Sequence, residues 1–136
     1  RIADPLSLVS FDRDRSGTLN EGRLISVLEP LTQIEPNIAF VLIGSRATGK
    51  ARENSDWDIG ITTGAKGVGT DLYLDLKSKL EDLTEDFAQS CDLVNFDAAP
   101  VWFLRDMDYA PKFLVGNRES FQYLKGLIDG VTLELS

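Results

Sequence analysis

The 136-residue sequence contains no histidine, and this absence excludes several classes of chemistry. Without histidine the chain cannot carry a Ser-His-Asp or Cys-His catalytic site, nor a histidine zinc ligand. Any general base is then expected to be a carboxylate, and any bound metal a hard cation held by oxygen. The single cysteine, Cys91, cannot form an internal disulfide, which favours a reducing compartment and predicts a cytoplasmic location.

Positive charge and long apolar runs are also scarce. The chain has 14 Lys and Arg against 22 Asp and Glu, a net charge of −8, whereas a nucleic-acid-binding surface must be basic. The longest purely apolar run covers residues 38–43, which is far too short to cross a membrane. No basic stretch followed by an apolar run opens the sequence, so no secretory signal is expected. We therefore expect neither a free nucleic acid partner nor a membrane partner.

Hydrophobic residues make up 43% of the chain, enough for one domain with a real core. Apolar residues at helical spacing predict three helices, at 22–34, 71–89 and 117–128. Branched or alternating apolar residues predict four strands, at 38–43, 56–61, 91–96 and 131–135. This order predicts an α/β fold, a small mixed sheet with helices mainly on one face. Residues 1–21 are expected to form a turn-rich N-terminal extension and residues 22–136 the domain.

Two motifs suggest functions that their own details disfavour. Residues 12–19 match the first eight positions of an EF-hand loop, but Arg23 stands where the loop needs a bidentate Glu. We expect no calcium binding there, and an Asx-type turn that caps the first helix explains the pattern instead. Residues 44–50 match the G-x-x-x-x-G-K of a P-loop, but Ala51 replaces its Ser or Thr and no long helix fits after it. A Walker ATPase is therefore not expected.

The same glycine-rich turn and the aspartates after it support a third interpretation. Gly44 and Ser45 close a strand, where backbone N–H groups and the serine hydroxyl can approach a phosphate. Arg46 could add positive charge beside the phosphate or could pair with a surface acid. Asp56 and Asp58 alternate with apolar residues, so both carboxylates lie on one face of the strand. This is the placement expected for two ligands of a cation that bridges the protein and a triphosphate.

A third carboxylate can come from the strand at 91–96. Asp92 lies at its start and Asp97 at its end, and strand alternation alone does not choose between them. Two like charges about 4 Å apart repel by about 4 kcal/mol at an effective dielectric near 20. A cluster of carboxylates therefore usually serves to bind a cation. Position along the strand favours Asp92, with Asp97 as the fallback or as a cap for the next segment.

The motif G-S-R-A-T-G at 44–49, followed by S-D-W-D-I at 55–59, resembles the signature of the DNA polymerase beta-like nucleotidyltransferases. In particular it resembles the minimal nucleotidyltransferases, over about residues 22–136 and including the closing L-I-D-G-V-T-L at 127–133. The resemblance implies an NTP substrate, expected to be ATP, with Mg²⁺ and transfer of a nucleoside monophosphate to an acceptor hydroxyl. It also implies that the third acid is followed by Leu and Val, as Asp92 is in this sequence. The site residues implied are Gly44, Ser45 and Arg46 at the nucleotide, and Asp56, Asp58 and Asp92 as catalytic residues and metal ligands, with Asp92 as the base.

The chain is too short to carry a separate acceptor-binding domain, so another molecule must present the acceptor. Minimal nucleotidyltransferases are often paired with small helical HEPN proteins, and some are antitoxins that nucleotidylate that partner. The resemblance therefore implies a HEPN-type partner and a toxin–antitoxin role. Two alternatives remain open: a catalytically weak module that binds and masks a helical partner, and an aminoglycoside-type small-molecule nucleotidyltransferase. The latter is disfavoured because no second substrate domain is present.

Overall fold

The computed structural model describes residues 18–52, 55–98 and 111–135. In these ranges the strands are β1 (Ala39–Ile43), β2 (Trp57–Thr62), β3 (Cys91–Asn95) and β4 (Lys112–Gly116). The α-helices are α1 (Glu21–Leu28), α2 (Ser45–Thr48), α3 (Thr70–Thr84) and α4 (Arg118–Leu135). Short 3-10 helices lie at Glu29–Gln33, Gly64–Lys66 and Phe96–Ala98.

The four strands form one sheet in the order β3-β2-β1-β4. Strand β1 is antiparallel to both β2 and β4, whereas β2 and β3 are parallel. Parallel neighbours need a crossover connection, and α3 supplies it between β2 and β3. The expected mixed α/β sheet is therefore confirmed.

Helices cover both faces of the sheet. Helices α1 and α3 pack on one face, where their leucines meet the apolar side of β2 in a cluster that includes Leu24, Leu28, Leu76, Leu80, Trp57, Ile59 and Ile61. Helix α4 packs on the other face through Phe121, Leu124 and Ile128, against alternate residues of β1. Strand β1 is buried on both faces, which explains its unbroken apolar sequence. Two of the three longer helices thus share one face, as expected, and α4 lies on the opposite one.

The ends of the predicted helices have local causes. Helix α1 begins after Asn20, whose side chain accepts a hydrogen bond from the Arg23 backbone N–H. It gives way to a 3-10 turn at Glu29–Gln33 because Pro30 lacks the N–H that would continue it. Helix α3 ends at Thr84, five residues before the predicted end. Phe87 lies in a turn after the helix, but its side chain is buried in the same cluster as the leucines of α3.

The last predicted strand is wrong. Residues 131–135 belong to helix α4, and the sheet's fourth strand is β4, which the sequence analysis did not anticipate. Five alternating residues are too few to separate a strand from the end of a helix. Strand β1 pairs with β2 on one side and with β4 on the other, so residues 131–135 cannot pair with it. They continue helix α4 instead.

The predicted boundary at residue 21 lies at the edge of the described residues, and most of the EF-hand-like segment lies outside them. Leu19 is buried in the main core, and its N–H donates to the Gln89 side chain at 3.0 Å. The core therefore includes a residue that precedes α1. In the part of the chain that the structure describes, every helix is too short or too polar to pass through a lipid bilayer.

Candidate active site

The two halves of the glycine–aspartate motif meet at one end of the sheet. Because β1 and β2 are antiparallel, Ile43 at the end of β1 pairs with Asp58 near the start of β2. Asp92 pairs with Asp58 across the parallel strands β2 and β3. Asp56 lies just before β2, and both Asp56 and Asp92 are exposed. Strand pairing therefore brings Asp92 to the same end of the sheet as Asp56 and Asp58, and these three carboxylates form an acidic edge.

The charges of these carboxylates act on one another. Partial burial raises the pKa of Asp58, and the negative charges of Asp92 and then Asp56 raise it further. The negative charges of Asp92 and Asp56 therefore oppose the ionisation of Asp58. A nearby cation would remove this opposition.

The donor set fits a hard divalent cation that is completed by substrate. Within the described ranges, no group of three or more acidic, cysteine or histidine side chains is arranged as a ready-made metal site. Mg²⁺ is usually held by one or two carboxylates together with phosphate oxygens, rather than by an all-protein cage. The mutually repelling carboxylates of Asp56, Asp58 and Asp92 match that chemistry, because they supply only oxygen and need a counter-charge.

The turn after β1 brings backbone against Asp58. Gly44 has a φ of 75°, and a Cβ at this position would lie 2.5 Å from Asp58 Oδ2. Ser45 opens the single-turn helix α2, whose C-terminal residue is followed by Gly49 with a φ of 77°. The Lys50 N–H donates to the Ser45 carbonyl at 3.0 Å and closes the turn. A single helical turn is not the long helix that a P-loop opens, and the absent side chain of Gly44 leaves room for the Asp58 carboxylate.

Arg46 is directed along the start of β2. Its Nη2 donates to the Ser55 carbonyl at 2.7 Å, and its Cζ lies 4.3 Å from the centroid of the Trp57 ring. Sequence reasoning missed both contacts, because no local pattern links residue 46 to residues 55 and 57. A nucleotide contact by Arg46 remains a prediction.

Asp97 lies at the opposite end of the sheet. Its carboxylate accepts hydrogen bonds from the Thr62 hydroxyl at 2.7 Å, and from the N–H and hydroxyl of Thr63 at 2.8 and 3.0 Å. Thr62 lies four residues beyond Asp58 along β2, a distance of roughly 13 Å at the usual strand rise. The carboxylate of Asp97 therefore holds the end of β2 and does not share the edge with Asp58.

The lone thiol has no place in this chemistry. Cys91 pairs with Trp57 in the sheet register and contributes to the apolar face. Burial is the main cause that raises the pKa of its thiol to about 11, so the thiol stays protonated and weakly nucleophilic at neutral pH.

Comparison with known structures supports the fold. A toxin–antitoxin crystal structure with AMP-PNP matches with a TM-score of 0.61 and 23% identity, over 86% of this chain and 90% of the other. The MntA-HepT toxin–antitoxin structure matches with a TM-score of 0.55 and 20% identity, over 85% and 86% of the two chains. A complex of the tri-AMPylated Shewanella oneidensis HEPN toxin with an MNT antitoxin matches with a TM-score of 0.56 and 19% identity, over 85% of each chain.

Sequence comparison reaches the family level. No curated protein is a significant match to the chain. The family model for the polymerase beta nucleotidyltransferase domain matches residues 24–120, which include the Gly44-Ser45 turn and all three aspartates of the sheet edge. The chain belongs to the polymerase beta nucleotidyltransferase family, as its two-part motif predicted.

Proposed function

We propose that this chain transfers a nucleoside monophosphate from an NTP, with ATP the expected donor, to a hydroxyl of a helical HEPN-type partner protein. The observation that carries the proposal is the Gly44-Ser45 turn lying against a sheet edge with three acids, Asp56, Asp58 and Asp92. Similar structures include one with AMP-PNP and one with a tri-AMPylated HEPN toxin, which supports the donor and the acceptor class. The antitoxin role follows from the same similarity.

The turn residues would hold the triphosphate. The backbone at Gly44 and the hydroxyl of Ser45, two partly exposed residues, offer hydrogen-bond donors to phosphate oxygens. Asp56, Asp58 and Asp92 would hold Mg²⁺, and the ion would supply charge neutralisation of the phosphates. The carboxylates of Asp56 and Asp58 keep the triphosphate at the edge only when a cation is present, since alone they repel it.

The transfer step requires a base that reaches another molecule. The acceptor hydroxyl oxygen attacks the α-phosphorus, the bond from that phosphorus to the bridging oxygen breaks, and pyrophosphate leaves. The hydroxyl proton passes to the carboxylate of Asp92. Asp92 is exposed and next to Asp58, so a side chain presented by a partner can approach it.

The proposal is tested by co-expressing this chain with the product of the neighbouring reading frame, which the proposal expects to be a HEPN-type protein. The intact mass of that protein should increase by whole nucleoside monophosphates, and the increase should vanish with Asp92→Asn. A stable complex without any mass change would refute transfer and support the alternative, a module that masks its partner. Transfer to an aminoglycoside instead would reveal a small-molecule enzyme.

Nucleotide binding is a separate test. Calorimetry with AMP-PNP should show binding that depends on Mg²⁺ and weakens sharply in Asp56→Asn. Ser45→Ala should weaken it by about 0.5–1.5 kcal/mol, the usual worth of one hydrogen bond. Equal affinity with Mg²⁺ and with EDTA would refute the metal-bridged arrangement.

A cytoplasmic location completes the proposal. Cys91 is a free cysteine, and the proposed substrate ATP and the toxin–antitoxin role both belong to the cell interior. The proposed enzyme domain covers residues 22–136, with residues 1–21 as an extension from which Leu19 packs into the domain core.

A further inference from the structure

Arg46 links the two halves of the candidate site. Its Nη2 donates to the Ser55 carbonyl at 2.7 Å, and its guanidinium stacks 4.3 Å from the Trp57 ring centroid. Ser55 and Trp57 are the residues directly before and after Asp56. The side chain that follows Ser45 thus contacts both chain neighbours of a candidate metal ligand.

Both partners of Arg46 are firmly held. Trp57 is 5% exposed within the main core, and its Nε1 is buried without a hydrogen-bond partner, so packing and stacking fix the ring. The Ser55 N–H donates to the Arg52 carbonyl at 3.0 Å, and the Ser55 hydroxyl accepts from the Arg52 N–H at 2.8 Å. The guanidinium therefore lies on an ordered surface, where its flat face stacks on Trp57 while its Nη2 donates to the Ser55 carbonyl.

We propose that Arg46 is a positioning residue that couples the Gly44-Ser45 turn to Asp56. The inference rests on the proposed function, because it assigns Asp56 to the bound cation and the turn to the triphosphate. When a triphosphate docks on the turn, Arg46 fixes the spacing between the turn and the start of β2. The carboxylate of Asp56 then meets the cation and the phosphates in one geometry.

A positioning role and a phosphate contact require different properties of the side chain. A phosphate contact requires positive charge, which Arg46→Lys retains and Arg46→Gln removes. Positioning requires a planar group that stacks and donates simultaneously, which both substitutions remove. Arg118→Gln is the matched control, since the Arg118 guanidinium stacks 4.5 Å from the ring of Phe113 in β4, on the other side of β1 from Asp58.

The kinetic test compares these variants in AMP-PNP affinity and in the rate of transfer to the co-expressed HEPN-type protein. In both Arg46 variants we expect the Kd for AMP-PNP with Mg²⁺ to stay within about threefold of wild type, whereas the nucleotide contact that the family resemblance implies for Arg46 would weaken it in Arg46→Gln. We expect the transfer rate constant to fall by about tenfold or more, because small misplacements of reacting groups are costly. A normal rate in Arg46→Lys, together with a Kd weakened about tenfold in Arg46→Gln, would overturn the inference.

A spectroscopic test does not depend on transfer. The chain has two tryptophans, so 6-fluorotryptophan labelling gives two ¹⁹F resonances, and Trp102→Phe identifies that of Trp57. We expect AMP-PNP with Mg²⁺ to shift the Trp57 resonance in the wild type and in Arg118→Gln, but not in Arg46→Lys. A wild-type Trp57 resonance that does not shift although calorimetry shows nucleotide binding would overturn the inference, and so would a shift of the wild-type size in Arg46→Lys. A shift without any transfer would instead retain the coupling and refute the proposed function.

Discussion

At the scale of single residues, Gly44 carries two constraints that can be separated. Its φ of 75° disfavours any side chain, and a Cβ would also lie 2.5 Å from Asp58 Oδ2. Gly49 has a φ of 77° but open space around its Cβ position. Gly49→Ala should lower the free energy of unfolding by about 1–2 kcal/mol, the usual cost of the left-handed conformation. Gly44→Ala should lower it by more, because the backbone there (φ 75°, ψ −159°) is in a region almost confined to glycine. Only Gly44→Ala should abolish transfer, because it displaces the Asp58 carboxylate.

Urea denaturation and the partner mass assay together measure both effects. Equal loss of transfer in the two variants would show that backbone strain, rather than contact with Asp58, makes glycine necessary at position 44.

Asp92 and Asp97 should give opposite results when each is replaced by Asn. Asp92→Asn should fold normally and bind AMP-PNP with Mg²⁺ but transfer no nucleoside monophosphate, since Asp92 is exposed and lies beside Asp58. Asp97→Asn should lower the free energy of unfolding by about 1–3 kcal/mol, because the Asp97 carboxylate accepts hydrogen bonds from Thr62 and Thr63. Its folded fraction should remain active. An inactive but stable Asp97→Asn would show that Asp97 is the third catalytic acid.

At the scale of structural elements, the start of α1 opposes calcium binding. Thr18 would be position 7 of an EF-hand loop, where the backbone carbonyl is a calcium ligand. Here the Arg23 Nη1 donates to that carbonyl at 2.8 Å, from the position where the loop needs a glutamate. We expect calorimetry to detect no calcium binding by this segment at physiological levels. Micromolar binding that disappears in Asp12→Ala would contradict this.

The ion pair of Glu35 and Lys66 joins the segment before β1 to the 3-10 turn after β2. The hydrogen bond from Lys66, followed by that from the Asn37 N–H, holds the pKa of Glu35 below its usual 4.5. A lowered carboxyl pKa stabilises the fold above the unfolded pKa, and this stabilisation is lost as pH falls through the folded pKa. Glu35→Gln should therefore be less stable than wild type near pH 7 and equal to it in acid. Urea midpoints across pH measure the difference, and a constant difference would exclude the ion pair as its cause.

At the scale of the whole molecule, the acidic edge should reduce stability when no cation is bound. Burial and the charges of Asp92 and Asp56 raise the pKa of Asp58, so its ionised form is less favourable in the folded than in the unfolded state. With EDTA at neutral pH, Asp58→Asn should raise the Tm, and this gain should shrink as pH falls.

With Mg²⁺ and AMP-PNP the order should reverse, because ligand binding stabilises only a site that still binds. Asp75→Asn is the control, since Asp75 pairs with Lys79 on the exposed face of α3. A Tm of Asp58→Asn that rises with Mg²⁺ and AMP-PNP as much as that of wild type would exclude Asp58 from the site.

Across the whole molecule, the strands that could be predicted are those with a distinct apolar pattern in the local sequence. Strands β1, β2 and β3 lie within one residue of the predicted ends, because their apolar runs are short and bounded by turn residues. Strand β4 and the end of α4 were not predictable. Strand β4 is half-exposed and follows a stretch with no clear pattern, and it is stabilised as a strand by pairing with β1 and by the packing of Leu114 in the main core.

The sequence by itself determined the family and the residue types at the candidate site. The absence of histidine, the glycine–serine turn and the paired aspartates each act through residue type and short spacing, which local sequence contains. The tertiary structure decided which further acid lies beside the pair, a choice that strand alternation alone left open and that position along the strand only favoured. The register of β2 and β3 sets Asp92 beside Asp58 and Asp97 beside Thr62. It also decided the contacts of Arg46, because hydrogen bonding and stacking between distant segments depend on how strands pair rather than on any local pattern.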